Sequence, residues 1–180
     1  MRIAGKRLLI RDITFKDDND FFEYAKRDEV GPDAGWKPVP SMEVARRVIA
    51  SYMLAKDVFA IELIEEKKMI GTISIYNYGI RKYNKVKQLG FSSNPNYWNK
   101  GYMTEAVNMV IDYIFNHTDC EVLEVGHHSD NYKSKRVIEK CGFIYDGRLC
   151  KYKKLYDGRL VDADFYSMTK EDYERKKRYE

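Results

Sequence analysis

The sequence predicts an α+β domain, on three observations. Apolar runs of strand length recur between charged or Gly-containing turns. One long segment, Gly101 to about Asn116, instead repeats its apolar residues at three- and four-residue steps. The order of elements is a strand and two helices, then three strands, a helix, a strand, a helix and a final strand pair, which places a crossover helix in the middle of the chain. With 180 residues, 44% hydrophobic and 14% aromatic, the chain can bury one sizeable core, so one domain over 1–180 is expected. No repeat, low-complexity segment or linker divides it.

Arg7–Arg11 reads as the first strand, and Asp17–Arg27, carrying Phe21, Phe22, Tyr24 and Ala25, as the first helix, with acids at the end where the helix dipole favours them. Gly31–Pro40 holds three of the four prolines together with Trp36, and is expected to be an ordered loop over a cleft. Ser41 is a natural N-cap for a second helix to about Ala55, with Val44, Val48 and Tyr52 on its inner face. Val58–Ile64 and Met69–Tyr78 flank the charged turn Glu65–Lys68 as a hairpin, and Val86–Ser92 is a third strand after a basic turn.

After the amphipathic helix, whose inner face is Met103, Ala106, Val107, Val110, Ile111 and Ile114, Glu121–Gly126 reads as a strand. Ser134–Lys140 is a short helix ended by Gly142. Phe143–Leu155 and Leu160–Met168 form a hairpin around Asp157-Gly158. Lys170–Glu180 mixes both charge signs and is expected to be a solvated end.

Lys and Arg number 32 against 28 Asp and Glu, and this interspersed excess of +4 does not indicate a nucleic-acid partner. Cys120, Cys141 and Cys150 are odd in number and lack metal-ligand or redox spacing, so free thiols and no metal are expected. No run is long enough to cross a bilayer and Met1–Lys6 is no apolar signal segment, so the expected location is the cytoplasm.

The turn Asn99-Lys100-Gly101-Tyr102-Met103-Thr104 enters the most amphipathic helix of the chain. The first turn of a helix leaves backbone N–H groups unpaired at the positive end of its dipole, and a glycine there lets phosphate oxygens approach. Lys100 adds a mobile positive charge. A Walker-type loop is excluded because Gly-x-x-x-x-Gly-Lys-Ser/Thr is missing, and no Gly-x-Gly-x-x-Gly is present for a dinucleotide.

Four segments in order then give a resemblance. They are Leu89-Gly90-Phe91 through Pro95, Tyr97-Trp98 and Lys100-Gly101-Tyr102-Met103-Thr104-Glu105-Ala106; Asn131-x-x-Ser134 followed by an apolar helix and Gly142-Phe143; Asp157-Gly158-Arg159 with Asp162 and Tyr166-Ser167; and Gly35-Trp36. The chain resembles the GNAT superfamily of N-acetyltransferases, in its ribosomal-protein-alanine N-acetyltransferase-like (RimJ/RimL-type) branch, from about Arg7 to about Tyr173. Two departures stand out: Trp98 where the superfamily often has Gln or Arg, and Asn99 where it often has Gly. Backbone amides do the binding, so neither change is expected to abolish it.

The resemblance implies a mixed, mostly antiparallel sheet flanked by helices, whose central strands, Leu89–Ser93 and Val122–Gly126, splay into an acetyl-CoA cleft. It implies acetyl-CoA as co-substrate, with its pyrophosphate on Asn99, Lys100, Gly101, Tyr102, Met103 and Thr104. Its pantetheine arm would lie along Phe91, Ser92 and Ser93 as an added strand would. It further implies the Asn131 amide on the pantetheine and Ser134 Oγ near the thioester sulfur as proton donor to the leaving thiolate. Each has a plainer account: a strand end for Ser92-Ser93, and helix capping for Asn131 and Ser134. Lys133, Lys135, Arg136 and Lys140 either meet the cofactor's 3′-phosphate or form a solvated basic face.

Some members of the branch carry a glutamate just before the strand's glycine, where this chain reads Gln88-Leu89-Gly90, and Gln88 cannot act as a base. His127 and His128 follow the adjoining strand and can titrate usefully or simply pack; no base is assigned. The N–H of Phe91 or Ser92 is expected to stabilise the tetrahedral intermediate. The expected activity is acetyl transfer to a primary amine, on a protein N-terminus or a small molecule, by direct attack in a ternary complex. A catalytically silent acyl-CoA-binding regulatory module is the alternative, and an RNA-binding role for Arg81, Lys82, Lys85 and Lys87 around Tyr83 a third. Asp157, Asp162 and Asp164 either greet a cationic amine or belong to turns. Monomer and homodimer both remain open.

Overall fold

The computed structural model describes residues 1–179. Eight strands form one sheet: β1 (Arg2–Ala4), β2 (Leu8–Asp12), β3 (Val58–Leu63), β4 (Lys68–Tyr76), β5 (Val86–Ser93), β6 (Val122–His128), β7 (Ile144–Lys154) and β8 (Leu160–Thr169). Their order is β1-β2-β3-β4-β5-β6-β8-β7. Every neighbouring pair is antiparallel except β5 and β6. A parallel pair needs a crossover, because a hairpin cannot return the chain to the same end. Helix α4 (Tyr102–His117) is that crossover, as its periodicity predicts.

The remaining helices are α1 (Asp18–Ala25), α2 (Gly31–Ala34), α3 (Met42–Ala55), α5 (Tyr132–Lys140) and α6 (Lys170–Tyr179). Alternation along the strands divides the core into two layers. On one face Ile10, Ile61, Ile73, Leu89 and Leu123 pack against Ala106, Val107, Val110, Ile111 and Ile114 of α4. On the other, Ala60 and Met69 meet Phe21, Tyr24 and Ala25 of α1 and Ala45 and Ile49 of α3. The α+β class and the mostly antiparallel sheet are thus as the sequence predicts.

Several elements differ from expectation. Strand β1 extends the sheet by pairing Arg2–Ala4 with Leu9–Arg11, although three residues carry too little pattern to read. The first helix is preceded by a 3-10 turn at Phe15–Asp17 and ends at Ala25. Helix α3 is capped by Ser41, whose Oγ accepts from Val44 N–H at 3.3 Å, but its fully buried line is Ala45 and Ile49. Val44, Val48 and Tyr52 flank that line half-buried. The proline-rich loop contains α2, and Val39 N–H donates to the Ala25 carbonyl at 2.9 Å, so the loop is ordered as expected.

The charged tail is the clearest correction. It forms α6, with Tyr173 buried and stacked on Phe115 at 5.0 Å between centroids. The Tyr173 hydroxyl accepts from Asn116 Nδ2 at 2.7 Å. A reciprocal cap starts the helix: Asp172 N–H donates to Thr169 Oγ1 at 3.1 Å while Thr169 N–H donates to Asp172 Oδ2 at 3.1 Å. One aromatic and one Thr-x-x-Asp box therefore dock a segment whose composition reads as solvated. Glu180, the end of that predicted tail, lies outside the described residues.

The basic turn before β5 is internally paired. Glu124, 1% exposed, accepts from Ile80 N–H at 2.7 Å, from Arg81 N–H at 3.2 Å and from Arg81 Nη1 at 2.7 Å. Arg81 Nη2 also reaches Asp146 at 3.1 Å. Lys85 pairs with Glu121 at 2.7 Å, and Lys87 donates to Asn77 Oδ1 at 2.6 Å.

Tyr173→Ala is expected to cost roughly 2–4 kcal/mol in urea unfolding, by loss of a buried aromatic ring. The exposed Tyr179→Ala is expected to stay within about 0.5 kcal/mol. Equal midpoints for the two variants would show that α6 is not docked.

Candidate functional site

Strands β5 and β6 pair only from Val86↔Val122 to Leu89↔Val125. The next residue on each strand is glycine. A Cβ on Gly90 would stand 2.6 Å from Ser74 Oγ, and one on Gly126 would stand 2.8 Å from the Phe165 ring. Both strands stay paired on their outer sides, β5 with β4 as far as Ser93↔Gly71 and β6 with β8 as far as His128↔Ala163. The expected splay is therefore present, and the sheet holds it open from both sides.

Two cavities meet at the gap. One, of about 660 Å³, opens toward α4 and α5; the other, of about 320 Å³, opens on the α3 side. Gly90, Phe91, Ser92, Gly126, His127 and His128 line both. The larger cavity also takes in Ser93, Asn99, Gly101, Tyr102, Met103, Thr104, Asn131 and Ser134. Of the residues expected on the pyrophosphate, pantetheine and thioester, Lys100 is outside its lining; the Lys100 ammonium lies over the Tyr97 ring at 5.3 Å.

The turn into α4 owes its shape to two left-handed residues, Asn99 at φ 61° and Gly101 at φ 78°. Asparagine tolerates this region better than other non-glycine residues, which explains how it can replace a glycine here. The first helical bond of α4 is Glu105 N–H to the Gly101 carbonyl at 3.0 Å. The amides of Tyr102, Met103 and Thr104 precede it and have no intrahelical acceptor. Arg7 fixes the turn from outside: its Nε donates to Glu105 Oε2 at 2.7 Å and its Nη1 to the Lys100 carbonyl at 3.1 Å. Its guanidinium lies 4.5 Å over the Tyr102 ring. Sequence reading missed Arg7, because 93 residues separate it from the carbonyl it holds.

Trp98, the other departure from the superfamily pattern, ties the turn to β5. Its Nε1 donates to the Ser93 carbonyl at 3.2 Å and Ser93 Oγ at 3.0 Å. The Lys133 ammonium sits 4.2 Å over its ring. Ser92 Oγ lies 3.0 Å from Thr72 Oγ1, on the β4 side of the gap.

Asn131 caps α5 through Oδ1, which accepts from Ser134 N–H at 3.0 Å, and its Nδ2 donates to the Asp33 carbonyl at 3.1 Å. The capping account of this pair is therefore real, and it leaves one Nδ2 hydrogen over. Ser134 Oγ makes no hydrogen bond within the protein, among the described residues. Lys133, Arg136 and Lys140 line the larger cavity, whereas Lys135 turns to Glu139 at 3.7 Å.

The smaller cavity has aromatic walls: Trp36, Tyr52, Tyr76, Tyr152 and Phe165. Burial pushes the Tyr52 phenol up to about 12, so it stays protonated at neutral pH. Lys153 lines this cavity too, with Nζ donating to the Gly35 carbonyl at 3.3 Å. No aspartate or glutamate does so among the described residues. Asp164 pairs with Arg148 at 2.8 Å, which holds its carboxyl below the usual range. Asp157 pairs with Arg159 at 2.7 Å, and Asp162 accepts from Lys151 N–H at 2.8 Å. These three acids serve the hairpin.

The two histidines differ. His127 is buried, with Nδ1 2.7 Å from the His128 carbonyl and Nε2 3.5 Å from the Tyr166 hydroxyl. His128 is half-buried and, among the described residues, makes no hydrogen bond to the protein through its ring. Burial, and secondarily the charge of Lys153, lower its pKa from 6.5. Among the described residues no group of three His, Cys, Asp or Glu side chains could hold a metal ion, and no helix is long and apolar enough to cross a membrane.

Comparison with known proteins agrees with this architecture. A family model described as an acetyltransferase (GNAT) domain matches residues 7–144. The uncharacterized N-acetyltransferase YnaD of Bacillus subtilis is 30% identical over 153 residues, covering 82% of this chain and 85% of that protein. The crystal structure of a GNAT-family acetyltransferase from Bacillus anthracis superposes with a TM-score of 0.85 at 28% identity, over 95% of this chain and 99% of the other. That of the ribosomal-protein-S5-alanine acetyltransferase from Vibrio fischeri gives a TM-score of 0.75 at 26% identity, over 96% and 98%.

Proposed function

The chain belongs to the GNAT acetyltransferase family, whose acetyl donor is acetyl-CoA, and from that premise we propose that it moves the acetyl group to a primary amine by direct attack in a ternary complex. The observation that carries this reading is the meeting of two cavities across the Gly90–Gly126 gap, one of them beside the unpaired amides of α4.

The donor side fits a polyanionic nucleotide ester. The amides of Tyr102, Met103 and Thr104, with the positive end of the α4 dipole, receive the pyrophosphate. Asn99 and Gly101 shape that turn, and Lys100 supplies charge from outside the lining. Lys133, Arg136 and Lys140 supply further positive charge along the same wall. The pantetheine follows the β6-facing edge of Phe91, Ser92 and Ser93, whose Ser93 carbonyl already accepts from Trp98, with the free Nδ2 hydrogen of Asn131 as a further donor. Ser134 Oγ, unpartnered and in the same lining, donates to the leaving sulfur. The N–H of Phe91 or Ser92 stabilises the oxyanion.

On the acceptor side, aromatic walls without a carboxylate disfavour a polycation. An N-terminal α-amine, ordinarily near about 7.7–8.0, or a small aromatic amine gives up its proton more readily than an alkylamine. We therefore read the acceptor as a protein N-terminus or a small amine presented through an apolar group. The relatedness to a ribosomal-protein-alanine acetyltransferase supports the first of these.

A silent acyl-CoA-binding module is the second reading, favoured by one observation. Gln88 stands where some relatives carry glutamate, and Glu124, directly opposite in register, is bound by the 80–81 amides and Arg81.

Thiol release from acetyl-CoA, assayed with N-terminal peptides, aromatic amines, spermidine and an aminoglycoside, separates the readings. Release with a peptide or aromatic amine is expected; calorimetric CoA binding with no release on the whole panel would establish the silent module. Gly101→Val is expected to weaken CoA binding at least tenfold, since φ 78° disfavours a β-branched residue and relieving that strain would move the turn that presents the amides. Parental affinity in that variant would remove the turn as anchor. Ser134→Ala is expected to lower kcat by about 10-fold or more, and a rate within about twofold of the parent would dismiss the hydroxyl as acid.

A further inference from the structure

The attacking amine must shed a proton, and the residues assigned so far include nothing to receive it. Among the described residues six titratable side chains line the smaller cavity: Tyr52, Tyr76, His127, His128, Tyr152 and Lys153. Lysine is a cation at neutral pH, and phenols are protonated there, Tyr52 the more so for its burial. His127 is committed at both ring nitrogens, to the His128 carbonyl and toward Tyr166. Glu124 is enclosed behind the 79–81 loop.

His128 alone combines position with a free lone pair. The β6 alternation puts it on the face of Glu124 and Gly126, and it lines both cavities at their junction. Its imidazole packs where α2 ends, with Cε1 3.2 Å and Nε2 3.3 Å from the position a Gly35 Cβ would take. The charged and titratable groups facing it are Lys153 from β7, Asp130 from the turn after β6, Asp33 from α2 and neighbouring His127. Burial and Lys153 disfavour the imidazolium, so the ring is neutral at physiological pH.

We propose that His128 is the general base of acetyl transfer, an inference that rests on the acetyltransferase reading above. The amine lone pair forms the C–N bond to the thioester carbonyl while the C=O π pair moves to oxygen. Attack makes the nitrogen far more acidic, so a weakly basic imidazole suffices to take its proton. The oxygen pair then returns, the C–S bond breaks with its electrons on sulfur, and the imidazolium releases its proton to solvent through the open cavity.

The test is the pH dependence of kcat/KM for the parent, His128→Gln and Lys153→Met, on one acceptor, beside CoA affinity by calorimetry and the His128 titration by NMR. In the parent an acid limb is expected below pH 6.5, where His128 becomes protonated. His128→Gln is expected to remove that limb and lower kcat/KM by about 10²–10³-fold with CoA affinity unchanged. Lys153→Met removes a positive neighbour, so the limb and the NMR titration are expected to move together to higher pH, while the amine's own ionisation stays put. Activity within about threefold of the parent in His128→Gln with the limb intact, or a limb that ignores Lys153→Met while the NMR titration shifts, would overturn the assignment yet leave the transferase reading standing. A parent that binds CoA but acetylates no amine overturns both.

Discussion

The end of hydrogen bonding between β5 and β6 at Leu89↔Val125 is the constraint on which the rest of the structure depends. Unpaired strand edges inside a sheet are ordinarily costly, because backbone polar groups lose partners. Here the cost is limited by geometry: each strand keeps its outer neighbour to its last residue, so only the two inner edges open. Glycines at 90 and 126 remove the side chains that would otherwise crowd Ser74 and Phe165 beside the gap. The result is a passage through the sheet that joins two differently furnished cavities.

The same parallel pair accounts for the position of the α4 turn proposed to receive phosphate. A parallel neighbour requires a crossover, the crossover is α4, and the helix therefore starts close to the end of β5 where the gap opens. Its unpaired amides face the larger cavity as a consequence of topology. Arg7 and Trp98 then hold the turn from opposite sides, one through Glu105 and the Lys100 carbonyl, the other through Ser93. At the closed end, the Glu124–Arg81–Asp146 network locks the 79–81 loop against β6 and β7. A buried carboxylate with three donors is stable only while all are in place, so this end resists opening.

Much of this was legible in the sequence because periodicity and turn chemistry are local. Helix α4, the β3–β4 hairpin, the Ser41 cap and the Asn99–Thr104 turn each announce themselves within about a dozen residues. What escaped was set by distant partners or by single anchors: β1 needs β2 beside it, α6 hangs on Tyr173 meeting Phe115, and Arg7 acts on a carbonyl far along the chain. For the role proposed for the 99–104 turn, the resemblance to known acetyltransferases carries what periodicity does not, since four motifs in order imply a shared arrangement that no single motif does. It could not supply the role of Trp98 or explain Asn99, which required the Ser93 contacts and the left-handed φ.

The two cavities differ in the electrostatics they present, and in the proposed reading this bears on how one site would hold two substrates. The larger carries unpaired amides and the cations Lys133, Arg136 and Lys140 beside the acids Glu29 and Asp33, and Asp33 already pairs with Lys133 at 3.5 Å, so any pull on a polyanion is local to the start of α4 and to Arg136 and Lys140. The smaller is aromatic, with Lys153 and an unpartnered imidazole and no lining acid, so it selects by shape and contact area. In the proposed reading the donor is held by charge and amides at the α4 turn, whereas the acceptor is selected only once inside the smaller cavity. Discrimination among amines would then rest on the walls of the smaller cavity, contributed by Ala34 and Trp36, α3, β4 and the β7–β8 pair. Of these walls, the 34–36 segment and α3 lie outside the sheet, which is where acceptor preference could diverge while the gap and the α4 turn stay the same.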